Sequence, residues 1–327
     1  MNTKSEPTHA PVPLSKIIPN QELCADIYLF INDKYLKYKN AGEELGKDKY
    51  DEFLNKDLKE VYILISDIPS FIEWMKTSKE ESINELVTIV GEENRELVET
   101  REEIKEVVYE VFADREIDSA VVEHLQSITE NFINKAKQMR ESSTILAKLV
   151  KHNRSLADHS VNVANISIYL AMCLGHGHQM VLENIYLGAL LHDYGKAKIP
   201  SNVLDNPNGS LYQQAIEFHP IKGAKAAKAI PSIKDPVAVI VEQHHEQFNG
   251  KGFPKGLAGK DIYELAQIVA LANQYDNACD ENANMSEKQK IKSAIKKIEY
   301  DRGKMFSPDI LDRSVDALKL AFGNYKR

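Results

Sequence analysis

The chain has 327 residues, 43% of them hydrophobic and 28% charged, with a net charge of −8. That length accommodates two domains and a substantial core, and the composition is that of a soluble globular protein. The acidic balance, with no arginine-rich helix and no alternation of aromatic and basic residues, argues against a nucleic-acid polymer as partner.

The three cysteines, Cys24, Cys173 and Cys279, form no CxxC pair, which points to a reducing compartment without a disulfide framework. No apolar stretch follows the charge near Met1, and no segment reaches the length of a membrane span. The expected location is cytoplasmic, with no membrane partner.

Taken in chain order, residues 1–10 read as a disordered tail. Residues 11–80 read as a small α+β domain, with strand-like runs at 25–31 and 60–65 around a polar helix at 46–58. It carries no phosphate loop or metal cluster, so its expected role is regulatory, through a protein partner. Residues 81–144 read as a highly charged helical connector. There Ile104, Val108 and Val111 share one face, and Val121, Leu125, Ile128 and Phe132 another, with a turn over 113–119 between them. These stripes are read as core ahead of a dimer interface, although a homodimer stays open.

Residues 145–327 complete the chain. Pro200, Pro207 and Gly209 mark one loop, and Pro254, Gly256 and Gly259 mark a second, ahead of a helix starting near Tyr263. Two amphipathic helices follow Ser286, carrying Ile291, Ile295 and Ile298, then Leu311, Val315, Leu318 and Leu320. His176 and His178 flank Gly177 after a helix end, a capping or surface position.

The chemistry concentrates in His192-Asp193, at the end of the apolar run Leu190-Leu191. Neighbouring residues on a helix point about 100° apart, so both reach one centre only near a helix end. His159, His219, His244 and His245 extend the set, each at a polar edge of an apolar helix. Imidazole with carboxylate suits Fe, Mn, Zn or Ni, and five imidazoles exceed what one ion with an open position needs. The arithmetic points to two ions, which suits phosphodiester hydrolysis.

Two blocks carry a family resemblance. His192-Asp193-Tyr194-Gly195-Lys196-Ala197-Lys198-Ile199-Pro200 resembles the HD-x-GK-x-x-IP signature of HD-GYP domains, a branch of the HD phosphohydrolases that hydrolyses cyclic di-GMP. The stretch from His244-His245-Glu246 through Asn249-Gly250, Gly252-Phe253-Pro254 and Gly256-Leu257 resembles HHE-x-x-DG-x-GYP-x-GL. The resemblance implies a mainly α protein whose residues 145–327 form an all-helical HD-type catalytic domain. It implies a binuclear centre, iron or alternatively manganese, with ligands His159, His192, Asp193, His219, His244, His245 and, at the family's final aspartate, Asn273. Asp193 would bridge the ions, Lys196 would meet a substrate phosphate, and Gly252, Phe253 and Pro254 would line the pocket. Lys198 and Lys255 are read as solvated loop charge.

The departures fall on substrate handling. Phe253 replaces the tyrosine of the name and lacks its hydroxyl. Asn273 offers an oxygen without the charge, and Asp276 stands at i+3 as a substitute, a support for another ligand or a surface carboxylate. Residues 277–284 contain no Arg-Pro-Tyr motif and no cation. Ser155 stands where trinuclear members carry a glutamate, which favours two ions. Each lost charge-assisted contact is worth about 1.5–3 kcal/mol, so two would weaken binding by roughly two to four powers of ten.

Three functions follow. The favoured one is hydrolysis of cyclic di-GMP or a related cyclic dinucleotide by a metal-bridging hydroxide, with Asp193 and Lys196 as catalytic residues. The second is a weakened member acting as a signalling or binding module. The third is an HD hydrolase of another phosphate ester.

Overall fold

The computed structural model describes residues 8–56, 58–113, 118–138, 142–150, 156–199, 203, 206, 208–281 and 285–322. Residues 1–7 of the tail, 114–117 of the expected turn, Ser155, Pro200, Pro207 and 282–284 lie outside them, as does the side chain of Lys198. The fold is mainly helical, with twelve α-helices and one four-stranded antiparallel sheet among the described residues.

The sheet contains β1 (His9–Pro13), β2 (Ile27–Ile31), β3 (Lys34–Lys39) and β4 (Glu60–Leu64), in the order β1-β4-β2-β3. β1 begins inside the segment read as a tail, because His9 through Pro13 pair with Leu64 through Glu60. Asn32 and Asp33, with φ of 50° and 59°, form the tight turn between β2 and β3, a conformation open to Asn and Asp. Helix α1 (Lys47–Asn55) contributes Tyr50 and Phe53 to one buried core with Val61 and Ile63 of β4.

Three long helices follow: α2 (Ile68–Val90), α3 (Arg95–Ala113) and α4 (Ser119–Gln138). Ile104, Val108, Leu125 and Phe132 are buried in one continuous core with residues of the C-terminal helices. The apolar stripes of 81–144 are therefore spent on core. Tyr109 of α3 packs against this core and the sheet's core alike.

The remaining helices are α5 (Ser142–Lys148), α6 (Leu156–Cys173), α7 (Gln179–Leu191), α8 (Ser210–Lys228), α9 (Asp235–Gln243), α10 (Glu264–Asp280), α11 (Glu287–Tyr300) and α12 (Pro308–Ala321). α6 and α7 are buried nearly all round and lie in the centre, and α6 carries the buried polar residues Asp158, His159, Ser160, Asn162, Asn165 and Ser167. Ile295, Ile298, Leu311, Val315 and Leu318 are buried as their spacing predicts, but Leu320 is 70% exposed because it falls off that face. His176 is half-buried beside Glu264, and His178 precedes the first turn of α7. No helix among the described residues is long and apolar enough to cross a membrane.

Candidate metal centre

α7 ends at Leu191, so His192 and Asp193 leave the helix together and both reach the centre of the bundle. His159 comes from the first turn of α6, and His244 and His245 follow the end of α9. His219 departs from its expected edge position: it lies inside α8, next to Pro220.

The local backbone selects how each ring is held. Pro220 has no N–H for the Ile216 carbonyl four residues back. The Nδ1 of His219 takes that carbonyl instead, at 2.6 Å. His192 Nδ1 bonds the Ala189 carbonyl and His244 Nδ1 the Val241 carbonyl, both at 2.7 Å, using oxygens of a helix's last turn. His159 Nδ1 lies 2.7 Å from Asp276 Oδ2. With Nδ1 committed as donor, each of the four rings presents an Nε2 lone pair.

Those nitrogens converge on Asp193. Its Oδ1 lies 3.2 Å from His219 Nε2 and 3.8 Å from His244 Nε2, while Oδ2 lies 3.5 Å from His192 Nε2 and 2.7 Å from Lys196 Nζ. Two donor groups result, Asp193 with His219, His244 and His245, and Asp193 with His159 and His192, each with its atoms within 4.8 Å of one another. The two share only Asp193.

The cluster fits divalent cations. Lone pairs face lone pairs, as where His219 Nε2 lies 3.3 Å from His244 Nε2. The buried Nε2 atoms of His192 and His245 have no hydrogen-bond partner among the described residues. Such an arrangement is costly unless a cation lies between the donors. Burial holds His192, His244 and His245 below the ordinary imidazole range, and neighbouring rings add to the effect. Burial opposes ionisation of Asp193, but Lys196 and the surrounding rings outweigh it and hold its carboxyl well below the usual range. Neutral imidazoles around one carboxylate are the protonation state that ligation requires.

Two glycines permit close approaches that frame the centre. A Cβ on Gly195 would lie 1.9 Å from the His219 carbonyl oxygen, so only glycine lets the turn after Asp193 rest on α8. A Cβ on Gly252 would lie 2.3 Å from the Gln247 nitrogen, which lets the Gly252-Phe253-Pro254 loop fold back over His245. Glu246 ties that loop down by accepting from the Lys255 and Leu257 amides at 2.7 and 2.8 Å. Phe253 then stacks on His245. Lys255 is engaged with Glu242 at the surface.

Asn273 is buried on α10, and its Oδ1 accepts from Asn277 at 2.7 Å. Asp276, fully buried, supports His159 and also accepts from Asn162 Nδ2 at 3.2 Å. The sequence reading passed over Asn162 and Glu246. The signal for Asn162 was an amide three positions after His159, on the same face of one helix, and Glu246 stood within the second signature block.

A family model described as an HD domain matches residues 121–310. The chain belongs to the HD domain family. The matched span begins in α4, and the resemblance to the HD-GYP branch stands. The HD domain chain is 28% identical over 173 residues to a cyclic di-GMP phosphodiesterase of Thermotoga maritima, covering 52% of this chain and 46% of that protein. It is 30% identical over 184 residues to the cyclic di-GMP phosphodiesterase response regulator RpfG of Xanthomonas campestris pv. campestris, covering 55% and 47%. This HD domain chain thus spans about half the length of the curated relatives it matches. Its fold is similar to that of Bd1817, an HDG"Y"P protein from Bdellovibrio bacteriovorus, with a TM-score of 0.62, 24% identity and coverage of 95% of this chain and 99% of that one.

Proposed function

We propose that this chain is a metal-dependent phosphodiesterase that hydrolyses cyclic di-GMP or a related cyclic dinucleotide at the histidine–aspartate cluster. The observation that carries this reading is the pair of donor groups joined by Asp193. The activities named for the Thermotoga and Xanthomonas relatives support the substrate class. Two iron or manganese ions bound there would acidify a water and neutralise phosphodiester charge.

The chain's own residues perform the remaining tasks. Asp193 places one carboxylate oxygen toward each group and supplies charge to both. His159, His192, His219 and His244, anchored at Nδ1, aim Nε2 with little rotational freedom, and His245 completes the group of His219 and His244. Lys196, partly exposed beside Asp193, keeps a positive charge where an anionic phosphate would enter. Asn273 is a neutral oxygen donor on the helix that also carries Asp276. Gly252, Phe253 and Pro254 form a wall of the pocket, without a hydroxyl to bond phosphate.

A second reading, a metal-loaded member that binds its ligand with little turnover, is favoured by Phe253 and by the engagement of Asn273 with Asn277. One experiment separates the two. Protein purified anaerobically, with iron and manganese measured on the same sample, is assayed for cyclic di-GMP hydrolysis beside His192→Ala. Turnover that requires His192 supports the phosphodiesterase. Tight binding without turnover at full metal occupancy supports the second reading, and absence of both binding and turnover rejects both.

A further inference from the structure

The second turn of α3 carries Arg101, an arginine with no solvent exposure. A buried guanidinium stays charged and can only donate, so its neighbours must be acceptors. Glu102 pairs with it directly, Asp158 Oδ1 lies 3.6 Å from Nη2, and Nη2 donates to Asn162 Oδ1 at 3.3 Å. The other half of the Asn162 amide donates to Asp276 Oδ1 at 3.2 Å, and Asp276 Oδ2 meets His159 Nδ1 at 2.7 Å. A continuous line therefore runs from α3 through α6 and α10 to a ring of the cluster.

The line has a direction. An asparagine side chain has one accepting and one donating end. Turned over, Asn162 would set its NH₂ against the guanidinium and its oxygen against the Asp276 carboxylate, two repulsive contacts in a buried site. Arg101 thus selects the orientation of Asn162. That orientation gives Asp276 a donor on one oxygen and leaves the other for His159 Nδ1–H, which turns the ring's Nε2 toward Asp193. We infer that Arg101 is a positioning residue for His159, acting through Asn162 and Asp276, and that it sets how strongly the His159–His192–Asp193 group holds its ion. The inference rests on the proposal that this group binds a metal.

The placement of Arg101 extends the site beyond the helices that carry the donors. α3 also packs on the sheet's core through Tyr109, and a cavity of about 290 Å³ between α2, α3 and the segment 15–21 that follows β1 is walled by Lys16, Glu102, Lys105 and Asp158 among others. The charged partners of Arg101 therefore border a cavity shared with the segment that follows β1.

The test is manganese binding to the full chain, by titration with metal analysis and electron paramagnetic resonance, for wild type, Arg101→Met, Asn162→Leu and His219→Ala. In Arg101→Met and Asn162→Leu, affinity for one ion should fall about tenfold or more, the range expected for residues behind a ligand, while the second stays near wild type. His219→Ala should weaken the other ion, which identifies the two sites. Asn162→Leu keeps Arg101 with its carboxylates, so it decides the matter if Arg101→Met does not fold. Folded variants with both affinities unchanged, or with both lowered equally alongside the melting temperature, overturn the positioning role alone. A wild-type chain that binds fewer than two ions overturns the two-ion reading itself and this inference with it.

Discussion

The ring of Phe253 lies stacked on His245, with centroids 4.6 Å apart and planes inclined by 27°. The proposed pocket wall and a candidate ligand are thus in direct contact, and the stack covers one face of the His245 ring. Restoring a hydroxyl with Phe253→Tyr adds a donor at the ring's far edge while the stack is kept. We expect an unchanged melting temperature and metal content and a KM for cyclic di-GMP lower by roughly tenfold, one charge-assisted hydrogen bond. Steady-state kinetics check it, and an unchanged KM would show that the substrate does not reach that edge.

Asp193→Asn keeps the shape of the carboxylate and removes the charge that both groups share. The expected outcome is a loss of at least one ion per chain and of hydrolysis, with the fold retained. Metal analysis and circular dichroism of the same preparation check it. Retention of two ions would place the binding site elsewhere.

Gly195→Ala should be severe for its size, because the added carbon would meet the backbone oxygen of His219. Either the turn after Asp193 or α8 must move, so a loss of a few kcal/mol in stability and reduced metal content are expected. Gly46→Ala, with nothing within 4 Å of the new carbon, is the matched control and should change neither. Thermal melts and metal analysis of the pair check the prediction.

Acid should weaken the α3–α6 junction. Burial alone would raise Glu102, but the cations of Lys105 and Arg101 outweigh it and hold its carboxyl at about 2. Because the folded chain keeps Glu102 ionised, the unfolded chain binds more protons as pH falls below the ordinary glutamate range. The stabilisation is complete at neutral pH and is lost as pH falls through that range toward 2. Arg101→Met should cost roughly 3 kcal/mol at neutral pH and flatten this acid dependence. Denaturant melts between pH 7 and pH 3 check it.

The parts of the site that follow helix periodicity and motif spacing were legible from sequence. His192 and Asp193 had to sit at a helix end to share a centre, and α7 does stop at Leu191. The strands at 27–31 and 60–64 follow the β-branched and aromatic residues of their runs, whereas the start of β1, His9 and Ala10, falls in the segment read as tail because Pro11 and Pro13 disguise a short edge strand. His219 was read, like the other histidines, at the polar edge of an apolar helix, yet it lies inside α8, which runs on through Pro220. Arg101 could not be singled out, since one arginine in a glutamate-rich helix looks like a solvated charge until its neighbours from α6 are known.

Pro220 sets helix stability and site geometry against each other. A proline inside a helix costs about 3 kcal/mol, so Pro220→Ala should make α8 more stable. The new amide would then compete with the imidazole of His219 for the Ile216 carbonyl. A ring that loses that contest is free to exchange tautomers and rotate, and its aim at Asp193 is no longer built into the backbone. Selection for thermal stability alone would therefore favour removing Pro220, while selection for a preorganised centre would retain it.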